Sequence, residues 1–254
     1  NKSFRRFLNI TQLMIFSNNQ EYDNANRVPV QGAFYACIGK EKAFFNVFRE
    51  EDEKFGQKYP YQDVSENTEK LILKHRNCVS LKCHPEYATN CKVTTPTNRI
   101  LTSLLSKERF LFLLRYGFAY VEKTVEKDNG EKIKTLEKHV MRYQQLFASF
   151  AIRKKLDEDV KSGIIWHTQG SGKTALAYYS VKSLTDYFAK KSIPAKFYFI
   201  VDRIDLMKQA RDEFVARGLV VHTVEDRVQL MADIKNTQLV KSADGRLEIT
   251  VVNI

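Results

Sequence analysis

The eight residues His167-Thr168-Gln169-Gly170-Ser171-Gly172-Lys173-Thr174 combine small residues with one cation and one hydroxyl at a spacing suited to phosphate. They follow the pattern G-x-x-x-x-G-K-[ST], with His167 in the place of the first glycine. Gly170 and Gly172 allow backbone N–H groups to turn inward around a β-phosphate. An apolar stretch precedes the run and a helical pattern follows it, so the polarity of a helix N-terminus adds to the attraction for an anion. Lys173 would reach the β- and γ-phosphates and is the candidate catalytic residue. The Thr174 hydroxyl would ligate Mg²⁺ held by the nucleotide. Thr168, Gln169, Gly170, Ser171, Gly172, Lys173 and Thr174 are therefore the expected nucleotide contacts.

Two further groups surround this loop in sequence. Upstream, Arg142-Tyr143-Gln144-Gln145 carries paired amides. A carboxamide can meet both the donor and the acceptor on adenine's edge. Gln145 is assigned that role with Arg142 beside it, and Gln144 is the alternate. Downstream, Val201-Asp202-Arg203 ends an apolar strand at what would be the carboxyl edge of a sheet, where open α/β folds gather ligands. Arg203, Lys208 and Gln209 could touch a nucleic-acid backbone there. The charge balance agrees: 41 Lys and Arg against 30 Asp and Glu leave +11, which suits a polyanionic partner.

Other chemistry-bearing residues are less specific. Cys78, Cys83 and Cys91 share a stretch with His75 and His84, but their spacing matches no paired-cysteine zinc pattern, and reduced structural thiols are the simpler reading. Asp52-Glu53-Lys54 sits in the charged run Arg49 to Lys54 and reads as a solvated loop, because metal-bound carboxylates need rigid, partly buried supports.

The elements that must position these groups change character along the chain. Up to about Pro96, short apolar runs alternate with polar breaks. Strands are expected at 11–17 and 33–38 and a third within 42–49, as in the later part of an α/β or β-rich domain. From 98 to 115 the apolar spacing predicts one or two helices, the second capped by Ser106. Strands at 118–125 and 132–136 flank Asn129-Gly130, the signature of a type I′ hairpin. Helices are then expected at 139–158, 173–189 and 204–217, the last closed by Gly218. Strands are expected at 163–167, 196–201, 219–223 and 247–254, the first of them short and buried. Alternation of this kind implies βαβ units and a parallel sheet.

The 254 residues could bury a substantial core, and no run of about 18 apolar residues occurs. The chain lacks an initiator Met and stops within an apolar run, so it reads as a piece of a longer protein. Three of its stretches resemble one family, the R (motor and nuclease) subunit of type I restriction–modification enzymes. Trp166 to Thr174 is similar to that family's phosphate loop, His167 included. Phe199 to Leu206 with Gln209 resembles its motif Ia. Ile249 to Ile254 resembles the strand that opens its next motif. Residues 95–120 and 139–148 are similar to its linker helices and adenine-recognition motif, where Tyr143-Gln144 stands in place of Pro-Tyr.

The resemblance implies an α/β chain. Residues 1–94 would be the end of a nuclease-type domain, 95–138 a helical and hairpin linker, and 139–254 the first part of a P-loop, RecA-like, superfamily 2 motor lobe. It implies ATP and Mg²⁺ as cofactors and double-stranded DNA as substrate. It also implies methyltransferase (M) and specificity (S) subunits as partners, in the cytoplasm and away from membranes. Translocation of DNA would be coupled to cleavage of unmodified DNA. The nuclease residues would precede Asn1, and the acidic motif and arginine of hydrolysis would follow Ile254. Another superfamily 2 helicase or translocase, or a nucleotide-gated DNA-binding module without cleavage, shares the same loop. On this reading residues 1–254 alone turn over negligible nucleotide, and robust DNA-stimulated ATPase activity from them would refute the expectation that essential parts lie elsewhere.

Overall fold

Helices and strands alternate through most of the computed structural model, which describes residues 10–17, 33–37, 45–51, 64–91, 100–127, 130–224, 226–236 and 246–253. Contacts divide the chain into two units, one of residues 1–37 and 44–112, the other of residues 38–43 and 113–254. The fold is mixed α/β.

In the first unit, β1 (Met14–Ser17), β2 (Ala33–Ala36) and β3 (Asn46–Val47) form an antiparallel sheet in the order β1-β2-β3. Met14 pairs with Ala36, and Tyr35 with both Ile15 and Asn46. Tyr35 is fully buried and meets Phe48 edge-on at 6.3 Å. The strands are shorter than the sequence runs suggest. Asp52, Glu53 and Lys54 lie outside the described residues.

Helix α1 (Glu66–His75) is started by Ser65, whose hydroxyl accepts from the Thr68 N–H at 3.3 Å. A 3₁₀ turn (Val79–Cys83) and α2 (Pro85–Asn90) follow. Glu69 joins these pieces, accepting from Tyr87 and pairing with Lys82 at 2.5 Å. Cys78, Cys83 and Cys91 are free thiols, and no group of three His, Cys, Asp or Glu side chains able to hold a metal forms among the described residues.

A single π-helical turn (Ile100–Leu104) precedes α3 (Lys107–Tyr116). The Ser106 hydroxyl does not cap α3: its oxygen is buried without a partner, and only its carbonyl accepts, from Phe110 N–H at 2.8 Å. The buried guanidinium of Arg109 pairs with Glu50 and donates to Ser103 at 2.7 Å. A buried Arg is tolerated only with such a carboxylate and further acceptors.

The second unit opens with a hairpin of β4 (Phe118–Glu126) and β5 (Lys132–Val140), in register from Phe118↔Val140 to Glu126↔Lys132. Its turn departs from the expected two-residue type I′. Lys127 still pairs with Glu131, and the Gly130 N–H returns to the Lys127 carbonyl at 2.8 Å. The connection thus spans three residues, with Gly130 at φ +77° as a glycine bulge. Strand β5 runs four residues beyond expectation, because His139 and Val140 continue the ladder opposite Ala119 and Phe118. Helix α4 accordingly begins at Tyr143 and ends at Asp157.

Helix α5 (Lys173–Ala189) packs on α4, and Leu146 of α4 and Leu176, Tyr179 and Val181 of α5 are buried. Then come β6 (Tyr198–Val201), α6 (Ile204–Ala216), β7 (Val220–Val224), α7 (Arg227–Lys235) and β8 (Glu248–Asn253). The three strands are parallel, in the order β6-β8-β7. The last strand in sequence is the central one. Ile249, Thr250, Val251 and Val252 are all buried, as in strands covered on both faces. Phe214 of α6 closes one face, edge-on to Phe199 at 5.3 Å.

The segment 163–167 is not the buried strand the sequence suggested. Among the described residues no strand pairs with it, and Ile164 and Trp166 are each 91% exposed. Apolar residues adopt a ladder only where a neighbouring strand supplies partners.

Asp186 of α5 anchors the start of the hairpin. It accepts from the Tyr116 hydroxyl and from Arg115 at 2.8 Å, and Lys190 lies at 3.1 Å. The Tyr116 hydroxyl, Lys190 and Arg115 hold the Asp186 carboxyl below its usual range. Burial first, and then Asp186, push the Tyr116 phenol up to about 12. A carboxyl with a depressed folded-state pKa stabilises above its unfolded value and loses that contribution as the pH falls through the folded value. Asp186→Asn is expected to lower Tm by about 2–6 °C at pH 7, with the difference shrinking as the pH falls through the lowered carboxyl range in a thermal-unfolding series.

Candidate nucleotide-binding site

Chain geometry makes the site from two segments that meet at the start of α5. The first is the entry to α4. Arg142 is extended (φ −73°, ψ 157°), and its N–H donates to Oε1 of Gln145 at 2.9 Å. A glutamine at the third helical position commonly satisfies the N-cap donor in this way. The second is the loop 167–172, which ends at Gly172 with φ +80°, the N-cap of α5. A β-carbon at Gly172 would lie 2.5 Å from Nε2 of Gln145, so both the left-handed backbone and the close approach require glycine.

The two segments are tied by hydrogen bonds to three consecutive loop carbonyls. An Arg142 guanidinium N–H donates to the Gly170 carbonyl at 3.1 Å. Nε2 of Gln145 donates to the carbonyls of Ser171 and Gly172 at 3.2 and 2.9 Å. Gln145 is 3% exposed. Behind it, Ser149 on the next turn donates to the Gln145 carbonyl at 2.8 Å.

Lys173 is exposed, and its ammonium donates back to the Thr168 carbonyl at 2.9 Å. Thr168, Gln169 and Gly170 are exposed, and Thr174 is half-buried on the first turn of α5. Two polar atoms of the loop, Ser171 Oγ and His167 Nδ1, are buried with no hydrogen-bond partner, as is Oε1 of Gln144. The first N–H groups of α5 lack carbonyls one turn back, as at every helix start. The unpartnered Ser171 hydroxyl, the helix polarity and the exposed Lys173 ammonium are donors that fit an anionic phosphate group, whereas Gln144 Oε1 is an acceptor and does not.

The structure thus assembles Arg142, Gln145 and the loop residues in one place. The sequence pattern indicated which residues these are, but not that both amide hydrogens of Gln145 go to loop carbonyls. The glutamine at the third position of a helix was the available signal. The Arg109–Glu50–Ser103 cluster had no sequence signal at all.

Arg203, Lys208 and Gln209 form a separate group. Arg203 is the N-cap of α6, just past β6, and forks onto Asp205 at 3.1 and 2.5 Å. That pair raises the arginine's pKa and lowers the aspartate's, both through their mutual hydrogen bonds first. Lys208 and Gln209 are exposed one turn further on. Asn253 ends β8 opposite Val201 of β6 and donates to the Val201 carbonyl at 3.2 Å, so the carboxyl ends of β6 and β8 are tied together. A groove of about 550 Å³ beside β7 and α7 is lined by His222, Gln229, Asp233 and Asn236 among others, and no loop residue lines it.

The second unit is thus a mixed α/β body: a three-stranded parallel sheet with α6 and α7 packed on it, and a helix, α5, opened by a glycine loop. Residues 144–252 match the family model of the SWI2/SNF2 ATPase. The chain is a relative of the endonuclease subunits of type I restriction enzymes, which bears out the resemblance read from its motifs. A protein of Methanocaldococcus jannaschii named as such a subunit is 36% identical over 119 residues, covering 44% of this chain and 10% of that protein. One from Staphylococcus saprophyticus is 35% identical over 101 residues, 39% of this chain and 10% of that protein. One from Staphylococcus aureus is 36% identical over 85 residues, 33% of this chain and 9% of that protein. The chain thus spans about a tenth of the length of these relatives. No helix among the described residues is long and apolar enough to cross a membrane.

Replacing Gly172 by Ala adds left-handed strain of about 1–2 kcal/mol and displaces the Gln145 amide. Gly172→Ala is expected to weaken triphosphate binding by at least about tenfold in calorimetry and to lower Tm by a few degrees.

Proposed function

We propose that the chain is the nucleotide-binding part of a motor and endonuclease subunit of a type I restriction enzyme. Such a subunit would use ATP to translocate double-stranded DNA and would cleave unmodified DNA. Methyltransferase and specificity subunits would be its partners, and the cytoplasm its compartment. The observation that carries this reading is the loop 167–174 at the head of α5, its carbonyls held by Arg142 and Gln145. The SWI2/SNF2 match and the names of the relatives support it.

On this reading residues 1–94 are the later part of a nuclease-type domain and 95–138 a linker. Residues 139–254 are the first part of a P-loop, superfamily 2 motor lobe. Lys173 would leave the Thr168 carbonyl for the β- and γ-phosphates, exchanging a neutral acceptor for a charged one. Thr168, Gln169, Gly170, Ser171 and Gly172 would surround the phosphates through backbone N–H groups. The half-buried Thr174 hydroxyl would orient Mg²⁺, and an amide of Gln144 or Gln145 would meet the adenine. Bound Mg²⁺ supplies charge neutralisation on the phosphate oxygens. Arg203, Lys208 and Gln209 would follow a DNA backbone past the carboxyl edge of β6. Arg203 would exchange Asp205 for a phosphate, a substitution that conserves its bidentate geometry.

Lys173→Ala in the full-length subunit, assembled with its partners, is the direct test. Loss of ATP turnover and of distant cleavage, with DNA binding retained, is the expected result. Unchanged turnover would reject the loop assignment. Strand separation by the complete protein, without cleavage, would move the reading to a helicase.

A further inference from the structure

Base recognition and phosphate cradling make different demands on the 142–145 segment, and the hydrogen bonds around Gln145 favour only one of them. Reading adenine's edge takes one amide hydrogen and the carbonyl oxygen. Both amide hydrogens of Gln145 are committed to the carbonyls of Ser171 and Gly172, and its Oε1 accepts the Arg142 N–H. The side chain is almost wholly buried, and the missing β-carbon of Gly172 is what admits it. Turning the amide toward a base would leave the buried Ser171 carbonyl unpaired and leave Gly172 with only the Leu176 N–H of its own helix, at 2.9 Å.

The same bonds have a directional consequence. A peptide unit is planar and trans, so its C=O and the N–H of the next residue point opposite ways. Holding the carbonyls of Gly170, Ser171 and Gly172 toward α4 therefore holds the N–H groups of Ser171, Gly172 and Lys173 away from it. The Ser171 N–H makes one long bond, 3.3 Å, to the Thr168 carbonyl. The N–H groups of Gly172 and Lys173 are set at the helix start, the direction from which an anion approaches.

We propose that Gln145, together with Arg142, is a positioning residue of the phosphate loop: it fixes the loop carbonyls and so sets affinity for a polyphosphate chain irrespective of the base. Selection of adenine then falls to Gln144, whose Oε1 is buried with no hydrogen-bond partner. This rests on the nucleotide-site reading above and reassigns one residue within it.

The test compares inorganic tripolyphosphate, ATP and GTP by titration calorimetry on the full chain. The variants are Gln145→Ala, Gln145→Glu and Gln144→Ala. Gln145→Glu keeps the size and the Oε1 acceptor while removing both donor hydrogens. Expected is a loss of roughly tenfold to a hundredfold for all three ligands in both Gln145 variants, with the ATP-to-GTP ratio within about twofold of the parent. In ¹⁵N-glycine-labelled protein without ligand, the amide resonances of Gly170 and Gly172 should move in Gln145→Glu while Tm changes by only a few degrees, a signature that general unfolding does not produce. Gln144→Ala should spare tripolyphosphate and narrow the ATP-to-GTP ratio. Unchanged tripolyphosphate affinity in the Gln145 variants, with a lost preference for ATP, would overturn the proposal and return the base contact to Gln145. If the parent chain fails to bind tripolyphosphate at all, the nucleotide-site reading itself falls, and this proposal with it.

Discussion

The tie between the entry of α4 and the loop before α5 is the interaction on which the candidate site depends. It joins segments that are 26 and 27 residues apart at Gln145 and 28 apart at Arg142, and it uses only two side chains. Loop carbonyls in a buried position must be paired, and here the pairing also orients the peptide units that follow. Gly172 makes the approach possible, and Ser149 secures the helical turn behind it. Removing any one of these weakens the others, because the amide, the glycine and the carbonyls occupy one small volume.

Helix α5 transmits that local order to the rest of the second unit. Its first turn carries Lys173 and Thr174. Its middle holds the hairpin through Lys182, whose ammonium donates to the Phe118 carbonyl at 2.9 Å, and through Asp186. Burial of Lys182 lowers its pKa, so this contact carries a desolvation cost that the carbonyl bond offsets. The Met141 N–H returns to the Gly117 carbonyl at 2.7 Å, so the hairpin's base leads directly into Arg142. The hairpin is in this way fastened to both segments of the site. The sheet plays a different part: with β8 in the middle, it brings the ends of β6 and β8 side by side and sets Arg203 at that edge.

Much of the second unit was legible in its sequence. Period and caps gave the helices at 173–189 and 204–216 nearly to the residue, since amphipathic spacing and helix ends are local properties. The loop glycines were legible because left-handed turns need residues without a β-carbon, and Gly170 and Gly172 do stand at φ +76° and +80°. The segment 163–167 was misread, since its apolar run says nothing about whether a pairing strand is present. The hairpin turn was misread by one residue, since Asn-Gly serves two-residue and three-residue connections alike. Ser106 has the right type and place for a cap, yet its hydroxyl is buried without a bond.

What the sequence determined by itself was the chemistry on offer: a glycine loop with a lysine and a threonine at its end, amides near it, a basic balance and alternating α/β elements. These follow from residue type and short-range spacing, which survive any rearrangement of the chain. Only the tertiary structure decided where the hydrogen bonds of Gln145 go, that the last strand is the central one, and that Arg109 is buried against Glu50. Each of these joins groups more than 20 residues apart, and the energy of a buried polar contact depends on which partner arrives, not on the residue that waits for it.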